Sequence, residues 1–101
     1  MEKLEQFIEL LSEIIGCVET ESARIHAGQP SEWDINQLDN VVRPETSELL
    51  SFALKGEVFF KYGKNQRMLE STYVITDSPS ELSKTSLGKK IYELQDLYYS
   101  I

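Results

Sequence analysis

Residues 2–27 read EKLEQFIELLSEIIGCVETESARIHA and carry the clearest pattern in the chain. Apolar side chains recur there at steps of three and four residues, which at about 100° per residue places them on one stripe of a helix. The stripe consists of Leu4, Phe7, Ile8, Leu11, Ile14, Ile15, Val18 and Ile25. Gly28 and Pro30 follow as a C-cap residue and a breaker, so the sequence predicts a long amphipathic helix over 2–27. Gly16 inside it predicts either a close crossing by another helix or a bend.

Glutamates occupy the opposite face of this predicted helix. They are Glu2, Glu5, Glu9 and Glu13. A solvated helix face is often rich in glutamate, but almost every charge on this face is negative, whereas stability alone favours mixed signs at i,i+4 spacing. We therefore interpret the four glutamates as a candidate partner-binding surface. The affinity of this surface for a partner would come from a buried aromatic anchor, for which Trp33 and Phe7 are the candidates.

Shorter helices are predicted downstream. Ser31–Asp34 places an acid three residues after a hydroxyl, a weak capping box, and Pro44 both ends one helix and suits the start of the next. These signals predict helices over 32–42 and 45–55. Ser78–Glu81 is a capping box with proline at the first helical position, which predicts a C-terminal helix over 79–99 with an interruption near Thr85–Gly88.

The intervening residues 57–76 are rich in β-forming side chains. Val58–Tyr62 and Met68–Thr76, the latter at least from Ser71 onward, are typical of two strands around a turn at Gly63–Gln66, although residues 66–71 also suit a helix. An isolated hairpin is only marginally stable, so it must pack on the helices. The predicted fold class is therefore α+β and mostly helical: a long N-terminal amphipathic helix, two short helices, one β-hairpin and a C-terminal helix.

A single core follows from these elements. The sequence predicts that side chains of the first helix are buried against the third and last helices. The predicted core set is Leu11, Ile15, Val18, Leu50, Ile91 and Leu94.

The charge of the chain is concentrated in its first half. The 101 residues carry a net charge of −7 and suit one domain over 1–101. The first fifty residues hold eleven acids and three bases, whereas the remainder holds six acids and seven bases. An acidic surface repels phosphate backbones and anionic membranes and attracts basic partners.

The compartment expected from these features is the cytoplasm. The one cysteine excludes an intramolecular disulfide, which favours a reducing compartment. Acids stand at the N-terminus where a signal peptide has bases, and no run approaches the roughly 20 apolar residues of a membrane span.

No pattern in the sequence points to catalysis or to a cofactor. Cys17 and His26 are nine residues apart in one helix, which is about 13.5 Å along the axis and too far for a catalytic dyad. One histidine and one cysteine do not make a zinc site, which commonly takes three or four such ligands. We therefore expect no enzyme activity, no metal and no cofactor.

Three function classes follow, in order of preference. The first is a small acidic module that binds a basic partner protein, as an antitoxin, an immunity protein or an inhibitor does. The second is a structural or regulatory homo-oligomer, such as a homodimer, that uses the apolar stripe of the first helix. The third is a small enzyme or a nucleic-acid binder, the latter through basic and aromatic residues of the hairpin, including Lys61, Tyr62, Arg67 and Tyr73. Lysines that protect a strand edge explain that hairpin more simply, so nucleic-acid binding is the least favoured.

Overall fold

The computed structural model describes residues 2–55, 68–77 and 81–100. In these ranges every regular element is helical and no β-strand occurs. The elements are α1 (Glu2–His26), α2 (Ile35–Gln37), a π-helical turn (Leu38–Val42), α3 (Arg43–Leu54), α4 (Glu70–Asp77), a 3₁₀ turn (Glu81–Lys84) and α5 (Ser86–Ser100). The expected α+β class is therefore wrong for the described part of the chain, which is all-helical.

Helix α1 ends as its sequence predicts. Gly28 adopts a positive φ of 76°, the left-handed conformation that glycine reaches without a Cβ penalty. The Gly28 N–H donates to the Ile25 carbonyl at 3.0 Å, and the Gln29 N–H donates to the Arg24 carbonyl at 2.8 Å. This pair of bonds is a Schellman motif, and it satisfies carbonyls that the last turn of α1 would otherwise leave open.

The second helix begins later than predicted. Its N-cap is Asp34, whose carboxylate accepts from the Asn36 N–H at 2.7 Å, while the Gln37 side chain accepts from the Asp34 N–H at 3.0 Å. This reciprocal capping box replaces the one predicted at Ser31. The Ser31 hydroxyl instead donates to Glu21 of α1 at 2.7 Å, which ties the loop to the first helix.

The predicted break at Pro44 is also wrong. Residues 35–54 form one uninterrupted helical run in which the Arg43 N–H donates to the Leu38 carbonyl, five residues back. Proline lacks an N–H and its ring clashes with the carbonyl four residues earlier in a regular α-helix. In the wider π-helical turn just before Pro44, hydrogen bonds run five residues back instead of four. This change in hydrogen-bond register accommodates the proline, and the chain continues into α3.

The second predicted strand is a helix. Burial in α4 falls on Ser71, Thr72 and Ile75, while Tyr73 and Thr76 are exposed, a period of three to four rather than two. Glu70 and Ser71, in the stretch that suits either structure, are helical. The other predicted strand and the turn, together with residues 66–67, lie outside the described residues.

Two distant side chains cap the N-terminus of α4. The Glu45 carboxylate, 8% exposed, accepts from the Glu70 and Ser71 N–H groups at 2.8 Å each. The Gln95 side-chain oxygen accepts from the Leu69 N–H at 2.7 Å and from the hydroxyl of Thr72 at 2.8 Å. Open N–H groups of a first turn need such acceptors, so α3 and α5 together hold α4 in place.

The last helix restarts after an interruption, as predicted. The Thr85 hydroxyl accepts from the Gly88 N–H at 3.0 Å and caps α5. A Cβ at Gly88 would lie 1.9 Å from the Leu82 carbonyl oxygen, so only glycine lets the 3₁₀ turn pass this close. The predicted helix over 79–99 is thus a 3₁₀ turn followed by α5, and residues 78–80 are outside the description.

The core lies where α1 packs against α3 and α5. Leu11, Val18, Ile91 and Leu94 of the predicted set are buried, whereas Ile15 and Leu50 are half-buried at its margin. The centre of the stripe on α1 is formed by Phe7, Leu11, Ile14 and Val18. The Phe7 ring stacks on Tyr98 of α5 with centroids 6.2 Å apart, which joins the first and last helices.

Candidate functional site

The exposed face of α1 carries the predicted glutamates. Glu5, Glu9 and Glu13 are exposed and follow one another at one-turn spacing, opposite the buried stripe. Glu13 accepts from the ammonium group of Lys90 on α5 at 2.9 Å, and this hydrogen bond raises the pKa of Lys90. Within the described ranges Glu5 and Glu9 form no ion pair. The helix includes Glu2, the fourth predicted residue, but its side chain is outside the description. We call Glu5, Glu9 and Glu13 the acidic face.

A groove of about 850 Å³ adjoins the acidic face. The second half of α1, the loop residues 30–33 and the beginning of α5 form its walls. Glu13 belongs both to the acidic face and to the edge of this groove. The groove is in the size range of sites that hold a small ligand or an anchoring side chain.

Gly16 leaves part of the groove wall without a side chain. A Cβ built at Gly16 would meet no atom within 4 Å, and the residue is exposed. Of the two alternatives predicted for this glycine, the close helix crossing is therefore wrong within the described part of the chain, and the bend stays a prediction. Glycine in a helix costs up to about 1 kcal/mol of stability relative to alanine. At Gly16 no close packing among the described residues offsets this cost.

The charges in the groove are mostly paired with each other. Lys90 binds Glu13 at 2.9 Å, and Arg24 lies 3.8 Å from Glu21. Arg24 also donates to the Pro30 carbonyl at 3.1 Å. Glu32 is exposed and has no ion-pair partner among the described residues. Three carboxylates against two engaged cations give the groove a negative excess.

Both predicted anchors are covered in this structure. Trp33 is 4% exposed, and its indole N–H donates to the Thr85 hydroxyl at 3.3 Å. It thus lies in the groove wall and links the loop to the cap of α5. Phe7 is fully buried in the core. A partner would therefore contact the edge of Trp33 rather than an open ring.

The apolar stripe of α1 is occupied within the monomer. Phe7, Leu11, Ile14 and Val18 are at most 1% exposed because α3 and α5 cover them. They offer no surface for a second copy. Several basic and aromatic residues proposed for nucleic-acid binding, including Lys61, lie outside the described residues.

Among the described residues, the other side chains that could react or bind a metal form no cluster. Cys17 is half-buried at the groove, and His26 is exposed near the end of the same helix. In residues 2–55, 68–77 and 81–100, no three His, Cys, Asp or Glu side chains converge on a point that could hold a metal. None of the helices in those ranges has both the length and the apolarity to cross a bilayer.

The sequence does not predict the groove. Its walls come from segments that are distant along the chain, and the loop is held by the Ser31–Glu21 and Trp33–Thr85 hydrogen bonds. The one signal in the sequence was Gly16, a glycine inside a helical pattern, which indicates a packing or functional demand.

Comparison with known proteins gives no relative: no family model, no curated protein and no solved structure matches this chain.

Proposed function

We propose that this protein is a binding module whose acidic face docks a positively charged surface of a partner protein. The observation that carries the proposal is the exposure of Glu5, Glu9 and Glu13 on one side of a helix that buries Phe7, Leu11, Ile14 and Val18 on its other side. The groove that begins at Glu13 supports it independently, since it supplies a concave site beside the charges.

The spacing of the acidic face suits an extended basic surface. Four residues rise about 6 Å along a helix, so the three carboxylates span about 12 Å. Like charges at i,i+4 destabilise a helix by roughly 0.2–0.5 kcal/mol per pair. Because Glu13 already pairs with Lys90, basic groups of a partner would chiefly relieve the repulsion between Glu5 and Glu9. Charge complementarity of this kind speeds association and selects partners more than it adds affinity.

The core supports this function over self-association through α1. The centre of the apolar stripe that a homo-oligomer would need is already buried against α3 and α5, and its marginal residues Leu4, Ile8, Ile15 and Ile25 are half-buried. A small acidic protein that acts through one charged face fits the work of an inhibitor, an antitoxin or an immunity protein, in which contact alone blocks a basic partner.

Site-directed photo-crosslinking tests where a partner docks. A photoreactive residue at Ser12, exposed between Glu9 and Glu13, reports on the acidic face. The same residue at Ser47, exposed on α3, is the matched control. We expect a cross-linked protein with a basic surface at Ser12, lost when salt is raised, and none at Ser47. A partner captured at Ser47 alone, or one whose capture at Ser12 does not respond to salt, contradicts the proposal.

A further inference from the structure

The groove has the features of a recognition site for a side chain supplied from outside. Gly16 carries the cost of a helical glycine, yet no described neighbour requires the space that its missing side chain leaves. That space opens into the groove. A side chain that enters from a partner and lies against the helix backbone explains why a glycine stands here.

The charge of the groove selects the sign of this side chain. The two cations of the lining, Lys90 and Arg24, are held by Glu13 and Glu21 of the same protein. An anionic ligand would have to compete with these carboxylates for the two cations and would meet the negative excess of the groove. Glu32 remains exposed with no ionic partner in the described residues, so a cation finds a carboxylate ready to receive it.

The carbon atoms of the groove fit the stem of a long basic side chain. Gly16, Cys17 and Pro30, with the small exposed part of Trp33, contribute carbon atoms to the groove beside the carboxylates. Arginine and lysine bury their methylene stems along apolar surface while the charged head stays near water. Arginine also binds a carboxylate through two parallel N–H groups, which a lysine cannot do.

We propose that the groove between α1, the loop 30–33 and α5 binds a basic side chain of the partner, arginine in preference to lysine, with its stem over Gly16 and its charge on Glu32. Because this assignment rests on the proposed protein-binding function, it names the residue type that the partner inserts beside the acidic face. The acidic face then steers the partner, and the groove holds one of its side chains.

Three capped dipeptides provide the probe: acetyl-leucyl-arginine amide, acetyl-leucyl-norleucine amide and acetyl-leucyl-glutamate amide. They differ in the charge of one long side chain and are used at millimolar concentration, the affinity range of so small a ligand. We expect the arginine peptide to shift the amide resonance of Gly16 and the indole resonance of Trp33. It should also slow alkylation of Cys17, the only thiol of the chain and part of the groove lining, several-fold.

Variants separate the groove from the rest of the surface. Glu32→Gln should abolish the shifts, whereas Glu93→Gln, which removes an exposed charge from α5, should leave them unchanged. Equal shifts with the norleucine peptide, shifts with the glutamate peptide, no shift with any peptide, or full binding by Glu32→Gln would each overturn the assignment. If the arginine peptide does not bind the groove but Glu5→Gln and Glu9→Gln still slow association with the partner, only the groove assignment is wrong. If the arginine peptide binds but those two variants leave association unchanged, the acidic face fails instead.

Discussion

Replacing Glu45 by alanine should weaken the attachment of α4 to α3. The buried carboxylate accepts two backbone hydrogen bonds of 2.8 Å, from Glu70 and Ser71. A hydrogen bond to a charged group contributes about 1.5–3 kcal/mol, and loss of a helix N-cap alone costs about 0.5–2 kcal/mol. Because the two bonds share one acceptor group and part of the lost bonding is recovered from water, we expect Glu45→Ala to cost about 2–4 kcal/mol.

Glu45→Gln gives a graded comparison. Glutamine keeps the size of the side chain and one carbonyl oxygen, but its NH₂ group faces the second N–H as donor against donor. We expect it to lose about 1–2 kcal/mol, between wild type and alanine. Ser47→Ala, at an exposed position of the same helix, is the control and should change stability by less than about 0.5 kcal/mol.

Equilibrium urea unfolding, followed by far-ultraviolet circular dichroism, measures these differences. The order of stability should be Ser47→Ala, then Glu45→Gln, then Glu45→Ala, and a two-state protein shows it as a shift of the midpoint. If Glu45→Ala unfolds within about 0.5 kcal/mol of the control, the carboxylate does not hold α4, and the reasoning that makes this segment a helix is refuted.

Three further predictions concern the core, the glycines and an ion pair. Leu11→Ala should cost about 2–5 kcal/mol in urea unfolding, since the side chain is fully buried, and a loss below about 0.5 kcal/mol would place it outside the core. Gly16→Ala should stabilise by up to about 1 kcal/mol, whereas Gly88→Ala should destabilise by about 1–3 kcal/mol because its Cβ meets a carbonyl at 1.9 Å; equal effects would contradict the packing. The pKa of Lys90 is raised in the folded state, so its stabilisation is complete below 10.5, the ordinary value, and is lost as pH rises through the higher folded pKa. The stability difference between wild type and Lys90→Gln should therefore vanish at strongly alkaline pH, and a difference that persists there would contradict the ion pair with Glu13.

The elements that the sequence predicted best carry their signals locally. The stripe of α1 repeats over many turns, and Gly28 marks its end, so both the helix and its exposed glutamates follow from spacing alone. The signal for the interruption before α5 is also local, since the Thr85 hydroxyl accepts from the N–H of Gly88, three residues later.

The errors arise where distant residues override a local preference. Ser71–Thr76 is rich in β-forming side chains, but Glu45 and Gln95 bind the first turn of α4 from two other helices. β-Propensity largely reflects the packing environment, so such contacts outweigh it. The sequence around Pro44 predicts a break because nothing in it signals the π-helical turn that accommodates the proline. The groove depends on how three segments pack, which no spacing along the chain expresses.

The association rate of the partner tests the central claim most directly. Stopped-flow mixing would compare wild type with Glu5→Gln/Glu9→Gln/Glu13→Gln. A control, Glu48→Gln/Glu70→Gln/Glu93→Gln, removes the same charge from exposed positions on other helices. If the acidic face steers the partner, the first variant associates about tenfold or more slowly at low salt and loses most of its salt dependence, whereas the control stays near wild type. Equal rates and equal salt dependence for the two variants would show that the glutamates of α1 are only a solvated surface.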